Sequence, residues 1–432
     1  MNIKSLLLGS AAALVAVSGA RAADVIMVEP EPVEYVRVCD IYGSGFYYIP
    51  GTETCLQISG YVRYEYRYES EGSDREVEFD GGVADVLSST NLDGDDYRFR
   101  TRTRGRLNFD ARQETEWGTL RAYYRLQAQR QDDSPSSAGS NASVEMDRGF
   151  LQLGGLTAGY LNTLWVSELA GGGLTADAGT GLDASFLPYG DAKANQLNYT
   201  FALNGFNASI GLEQDGTGDF APDILAKLSY AGGFGAAWVI GAYDERVNAD
   251  SGFAVPGYPP FDDVFGDEDE DDGAFAIKAG IALQDLFVAD SQLKIQGNYS
   301  FDPSAYSYRP NAGAFTYIDY DTTTGDGTFI RQGNAGIPLE WAVEAGYTQA
   351  FGAIDAGIGG IYGRSFEILG SGEEVDYFGI EGNLVYNFTD RFFAGLFVTY
   401  ENFDDNGLTD EVTGLNFNDD EFRGLLRIQR SF

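Results

Sequence analysis

The stretch YRFRTRTRGRLNFDAR, Tyr97 to Arg112, sorts cleanly with a period of two. One face carries Arg98, Arg100, Arg102, Arg104, Arg106, Asn108, Asp110 and Arg112; the other carries Tyr97, Phe99, Thr101, Thr103, Gly105, Leu107, Phe109 and Ala111. A helix would scatter both sets around its axis, so the stretch is predicted to be a strand. Five successive guanidiniums cannot enter an ordinary sandwich core, because each would lose its hydration without a partner. The charged face must meet water.

Two environments satisfy that condition: a soluble sheet with one wet face, or a membrane barrel whose apolar face meets lipid and whose polar face lines a water-filled lumen. Upstream, Leu56, Ile58, Val62, Tyr64, Tyr66 and Tyr68 alternate with Gln57, Ser59, Tyr61, Arg63, Glu65, Arg67 and Glu69. Downstream, Leu120, Ala122, Tyr124, Leu126 and Ala128 alternate with Arg121, Tyr123, Arg125, Gln127 and Gln129. Three consecutive strands thus share one basic wall. Taken alone, such faces could also be simply solvated, and the rest of the chain decides.

Residues 1–22 carry Lys4, an apolar run from Leu6 to Val17 and the small-x-small triplet Ala20-Arg21-Ala22, which reads as a cleaved secretory signal peptide. The run is too short for a membrane-spanning helix. The chain has a formal net charge of −38, and Lys4 and Arg21 are the leader's only charges, so cleavage leaves the remainder more acidic still. That balance argues against nucleic acid as a partner. With 56 Gly, 27 Tyr and 29 Phe, the composition favours strands and turns over helices. Beyond the leader no apolar run approaches the roughly 20 residues of a transmembrane helix, so a membrane protein built from this chain must be a closed barrel. The two cysteines, Cys39 and Cys55, lie in an exported chain and are expected to form a disulfide.

Residues 23–53 lack alternation and contain three prolines, and are read as a short periplasmic segment stapled to the barrel by that disulfide. From Thr54 to Phe432 one unit recurs: about ten alternating residues and a connection. Short turns at Glu116–Gly118, Gly154-Gly155, Asn204-Gly205, Gly232-Gly233, Phe351–Ala353 and Thr389–Arg391 trade places with long polar segments at Ser70–Asp95, Asp132–Val144, Arg246–Asp272, Pro303–Pro338 and Asp404–Asp420. This is the pattern of an outer-membrane barrel, with an even strand number of about sixteen. Trp341, Phe351, Phe388, Phe392 and Tyr400 suit an interfacial aromatic girdle. The two-fold pattern blurs at Asp147–Leu153 and Leu156–Leu164. The final strand, Glu421–Phe432, must return beside the first, which brings Arg423 and Arg427 into the basic wall.

The segments PVEYVRVCD, YIPGTETCL and SGYVRY between Glu31 and Tyr64, with TRTRGRLNFDAR and TEWGTLRAYYRLQAQ after them, resemble the alphaproteobacterial porin family of general-diffusion channels. The likeness runs along the whole chain after the leader. It implies a transmembrane antiparallel β-barrel of sixteen strands, assembled as a homotrimer, whose third long loop folds inward as a constriction. Here that loop is Trp165–Lys193, with the acids Glu168, Asp177, Asp183 and Asp191. Acids facing Arg63, Arg67, the Arg98–Arg106 row, Arg121, Arg125, Arg423 and Arg427 would set a transverse field favouring polar solutes. Arg102 and Arg104, near mid-strand, are expected to dominate its positive side. Partners expected on this reading are outer-membrane lipid and lipopolysaccharide, small hydrophilic solutes and ions, and the assembly machinery that reads Phe432.

Other chemistries fit poorly. With no histidine there is no imidazole base, no Ser-His pair and no His metal ligand, so no enzyme and no cofactor is expected. The acidic run 262–272 could bridge divalent cations to lipopolysaccharide, but its spacing fails the calcium-loop pattern and a solvated loop accounts for it. A structural or adhesive barrel with a closed lumen is the alternative function, and bilayer conductance separates the two.

Overall fold

A computed structural model describes residues 37–70, 97–132, 141–167, 193–214, 221–245, 273–286, 288–321, 326–367, 374–404 and 419–432. A two-residue strand β1 (Tyr47–Tyr48) precedes β2 (Cys55–Ser70), β3 (Tyr97–Thr115), β4 (Gly118–Asp132) and β5 (Asn141–Leu153). There follow β6 (Leu156–Asn162), β7 (Lys193–Leu203), β8 (Phe206–Glu213), β9 (Asp223–Gly232), β10 (Gly235–Asp244), β11 (Ala274–Gln284) and β12 (Ser291–Ser300). The strands β13 (Asn311–Asp321) and β14 (Asp326–Gly336) form a separate two-stranded sheet. The ring resumes with β15 (Leu339–Phe351), β16 (Ile354–Ser365), β17 (Asp376–Thr389), β18 (Phe392–Asp404) and β19 (Asp419–Ser431).

Leaving out β1 and the β13–β14 pair, sixteen antiparallel strands close on themselves, β19 pairing with β2 and β9 with β10. Closure leaves no open edge, which a sheet surrounded by hydrocarbon requires. At the seam Gly60 and Phe432 exchange both backbone hydrogen bonds, at 3.1 and 3.0 Å. A Cβ on Gly60 would lie 2.0 Å from the Arg106 carbonyl oxygen of β3 and 3.0 Å from the Phe432 ring, so only a bare backbone fits where β2 meets both neighbours.

Exposure is inverted relative to a soluble protein. On β2 the exposed side chains are Ile58, Val62, Tyr64 and Tyr66, whereas Glu65 has no accessible surface. Apolar residues face lipid, and polar residues pack around the lumen. The short turns lie at one end of the ring. Asn204 (φ 51°) and Gly205 (φ 86°) form a two-residue turn with both residues left-handed, the twist a tight hairpin favours. A seventh short connection, which the sequence reading did not single out, links β11 to β12, where Asp290 N donates to Asp285 Oδ1 at 2.7 Å. The weak alternation near Asp147 has a local cause: the β4–β5 register shifts between Arg125 and Leu126, and Asp147 is the extra residue.

Preceding the ring, β1 pairs with Cys55 and Leu56 on the edge of β2 that β19 occupies higher up. The disulfide Cys39–Cys55 forms as expected, with Cα atoms 6.0 Å apart, in a buried cluster with Phe46. The Arg112 guanidinium lies 5.1 Å from the Phe46 ring, and Gln57 Nε2 donates to Ser44 O at 3.0 Å, so the stapled segment is seated against the inner-facing residues of β2 and β3. Peptide mapping without reductant should recover Cys39 linked to Cys55. Recovery of both as free thiols would refute the staple. Cys39→Ser should remove about 3 kcal/mol of constraint on the unfolded chain.

Candidate functional site

The inner faces of β19, β2, β3, β4 and β5 form one continuous wall. Register places Glu65 of β2 level with Arg102 of β3 on one side and Arg427 of β19 on the other. Arg63 and Arg67 point the same way two residues above and below. Four guanidiniums therefore converge on one carboxylate. Arg427 Nη2 lies 2.8 Å from Glu65 Oε1, Arg102 Nε donates to Oε2 at 2.6 Å, Arg67 Nη2 is 3.1 Å from Oε2, and Arg63 Nη1 stands 3.7 Å from Oε1. The cluster carries an excess of positive charge, and its anion is the one member wholly shielded from water.

Below this level, Asp110 takes two-pronged hydrogen bonds from Arg112 (2.9 and 2.7 Å) and from Arg121 (3.0 and 2.8 Å). Asn108 Oδ1 accepts from Arg125 Nε at 2.7 Å and from the Tyr123 hydroxyl at 3.0 Å. The bulged Asp147 gathers Arg125 and Lys193 at 3.4 Å and Arg106 at 3.8 Å. Lys193 opens β7, so this contact ties the exit of the third long connection to the wall. Arg100 pairs with Glu69 at 3.2 Å. Arg423 pairs with Glu401 at 2.5 Å and with Glu421.

Arg104 differs from its neighbours. Its guanidinium binds the neutral Gln129 oxygen through Nε at 3.1 Å and Nη2 at 2.7 Å, and among the described residues it has no ion pair. Arg63, directly across from it, donates to Gln429 at 2.7 Å. Like charges face each other here, with amides as their closest companions.

Of the basic residues singled out from sequence, Arg63, Arg67, Arg102 and Arg427 meet at Glu65, Arg121 meets Asp110, and Arg106 and Arg125 share Asp147. Arg100, Arg104 and Arg423 occupy the same wall with other partners. The backbone of Arg98 lies opposite Glu69, and its side chain is outside the described residues. So are the loop acids Glu168, Asp177, Asp183 and Asp191, and the acidic run 262–272. Sequence reasoning missed the carboxylates Glu65, Asp110 and Asp147 as members of the site. The signal was present for Glu65 and Asp110, which share the parity of the arginines, but their partners depend on register between strands.

The wall across the ring departs from the polar-inward rule. On β9 and β10 the buried inner side chains include Leu225, Trp238, Ile240 and Ala242, and they pack against Leu164, Trp165 and Val166 at the entry of the third long connection. An apolar inner surface is stable in a wet lumen because another segment covers it.

Comparison with known proteins agrees with this architecture. The family model described as "Porin subfamily" matches residues 24–426. Porin Omp2b of Brucella suis biovar 1 is 39% identical over 267 residues, spanning 57% of this chain and 67% of that protein, and Porin Omp2b of Brucella canis matches to the same extent. Among solved structures, the outer membrane channel DcaP of Acinetobacter baumannii superposes with a TM-score of 0.58 at 16% identity, covering 89% of this chain and 99% of that one. OmpF of Salmonella typhi, in complex with daunomycin, gives 0.52 at 12% identity over 88% and 98% of the two chains. At those identities the structures speak for the fold alone. The closed barrel, its charged lumen wall and the match along nearly the whole sequence place this chain in the porin subfamily, as an outer-membrane channel for passive diffusion.

Proposed function

We propose that the channel passes ions and small hydrophilic solutes, and that its selectivity is set between the arginine wall and an inward third loop bearing Glu168, Asp177, Asp183 and Asp191. The observation carrying this reading is the convergence of basic side chains on one inner wall, within a ring whose outer face is apolar. A solute crossing such a lumen meets fixed dipoles and charges in place of bulk water, so an apolar solute loses more than a polar one. The chain works as a channel rather than as a catalyst.

The wall's charge is graded, and the grading assigns roles. Arg102 is hydrogen-bonded to Glu65, which offsets part of its field at short range. Arg104, bound to an amide, keeps its charge for the solution. Between the two arginines at mid-strand, Arg104 therefore governs passing anions.

We further infer a homotrimer. In support, Tyr66 and Phe99 stack at 5.3 Å, and Tyr68 meets Phe422 at 6.0 Å, making an exposed aromatic surface across β2, β3 and β19 that a neighbouring barrel or the lipid interface could cover. Lipid and lipopolysaccharide around the ring, export through a leader at residues 1–22, and recognition of the exposed Phe432 ring by assembly machinery complete the proposal.

Four measurements test it. Purified protein in a planar bilayer should open in stable steps, in threes, and absence of any conductance would refute the channel reading. Cross-linking in mild detergent should trap trimers, and a lone monomer at every concentration would contradict that assembly. In a salt gradient, Arg104→Gln should move the reversal potential toward cations and Glu65→Gln toward anions. One unit charge about 4 Å from an ion in water is worth about 1 kcal/mol, or roughly fivefold in relative permeability before salt screening. Glu65→Gln should also lower the heat resistance of the folded barrel, because removing one partner from a dry ion cluster costs about 3–5 kcal/mol and somewhat less beside water. Shifts of the same sign in both variants would overturn the assignment.

A further inference from the structure

The entry to the third long connection is held inside the ring by contacts from three strands of the wall. Leu164, Trp165 and Val166 are almost fully buried, Trp165 at 3% exposure. Leu164 N donates to Glu213 Oε1 at 2.8 Å, and Lys227 Nζ donates to Leu164 O at 3.3 Å and also reaches the Ser167 hydroxyl. The Lys278 ammonium stands 4.5 Å from the Trp165 ring centre. These contacts come from β8, β9 and β11, across the ring from the arginine wall.

A second segment turns inward to meet it. After β12 the chain runs through Ser304, Tyr306 and Tyr308, all buried, where the sequence suggested a long polar loop from Pro303 onward. Ala305 N donates to Asp244 Oδ2 at 2.9 Å, and the Tyr306 hydroxyl donates to Asp223 Oδ2 at 2.8 Å. The turn is stitched to the wall behind it, since Leu339 N donates to Tyr308 O at 2.8 Å and Gln296 Nε2 donates to the Tyr308 hydroxyl at 3.1 Å. So anchored, the Tyr306 ring rests on Trp165 with centroids 5.5 Å apart and planes inclined by 60°. Trp165 is gripped between an ammonium group and an aromatic ring. Burial, and then the carboxylates of Glu213, Asp223 and Asp244, push the Tyr306 phenol well above its usual pKa, so it stays a protonated donor.

We propose that Tyr306 is a positioning residue of the channel: by pinning Trp165 it fixes the entry of the third connection against the wall facing the arginines, and so holds the width of the conducting path steady. The inference rests on the channel reading above. It differs from the charge assignments because neither ring carries charge. Loosening the grip changes the steadiness of the path and leaves its selectivity alone.

The test uses the full-length protein in planar bilayers, with Tyr306→Ala, Trp165→Ala and Tyr306→Phe. Tyr306→Ala and Trp165→Ala should each raise open-channel current noise at least twofold, with the reversal potential as in the parent. Tyr306→Phe keeps the ring on Trp165 but loses the bond to Asp223, and should give a smaller, measurable rise. If the alanine variants do not assemble, the phenylalanine variant decides: noise at the parent level overturns the proposal. A variant that loses heat resistance while its noise is unchanged shows a purely structural role and also overturns it. If the parent itself does not conduct, the channel reading falls and the proposal with it; a conducting parent with equally quiet variants removes the proposal alone.

Discussion

Four guanidiniums from three strands meet at the Glu65 carboxylate, and they do so at the seam where the ring must close. Backbone pairing between β2 and β19 satisfies the main chain, but it sets Arg427 beside Arg63 and Arg67 while β3 brings Arg102 from the other side. Without an anion those guanidiniums would repel one another across the most demanding joint in the barrel. Glu65 accepts from both flanking strands at once, at 2.9 Å from Arg427 Nε and 2.6 Å from Arg102 Nε. It binds first strand to last and lets a densely basic surface exist.

The same wall repeats the device with different partners. Asp110 neutralises Arg112 and Arg121, Asp147 collects two arginines and a lysine, and Glu401 and Glu421 hold Arg423. Glu65, Asp110, Asp147 and Glu401 are each more buried than the cations around them, whereas Glu421 is more exposed than Arg423. The cations of these clusters outnumber the acids, so the wall as a whole is net positive with its charge unevenly spread. Arg104 is held by the neutral Gln129 amide, so among the described residues its charge has no ion-pair partner.

Across the ring a different chemistry prevails. Two inward segments cover an apolar floor, and a chain of contacts from Asp223 through Tyr306 to Trp165 locks one onto the other. A rigid packed mass on one side and a row of fixed charges on the other are complementary requirements for a pathway whose shape must not drift. Packing supplies the first and ion pairing the second, and neither side could do the other's task with its own residues.

The sequence by itself determined the outward and inward faces, because side-chain parity along a strand is a local property: Tyr97–Arg112 could be sorted without knowing any neighbour. It determined closure into a barrel as well, since alternating apolar faces with no helical span leave no other way across lipid, and it placed the short turns except for the one at Asp285–Asp290. The Cys39–Cys55 pairing was legible from there being only two cysteines. Tertiary structure decided who neutralises whom. Glu65 and Arg427 are separated by 362 positions and meet only through closure and register, and a slip by one residue would send each to the opposite face. It also decided that Trp238 and Ile240 point inward and that Tyr306 rests on Trp165, because an apolar luminal residue is stable only once another segment has come to cover it.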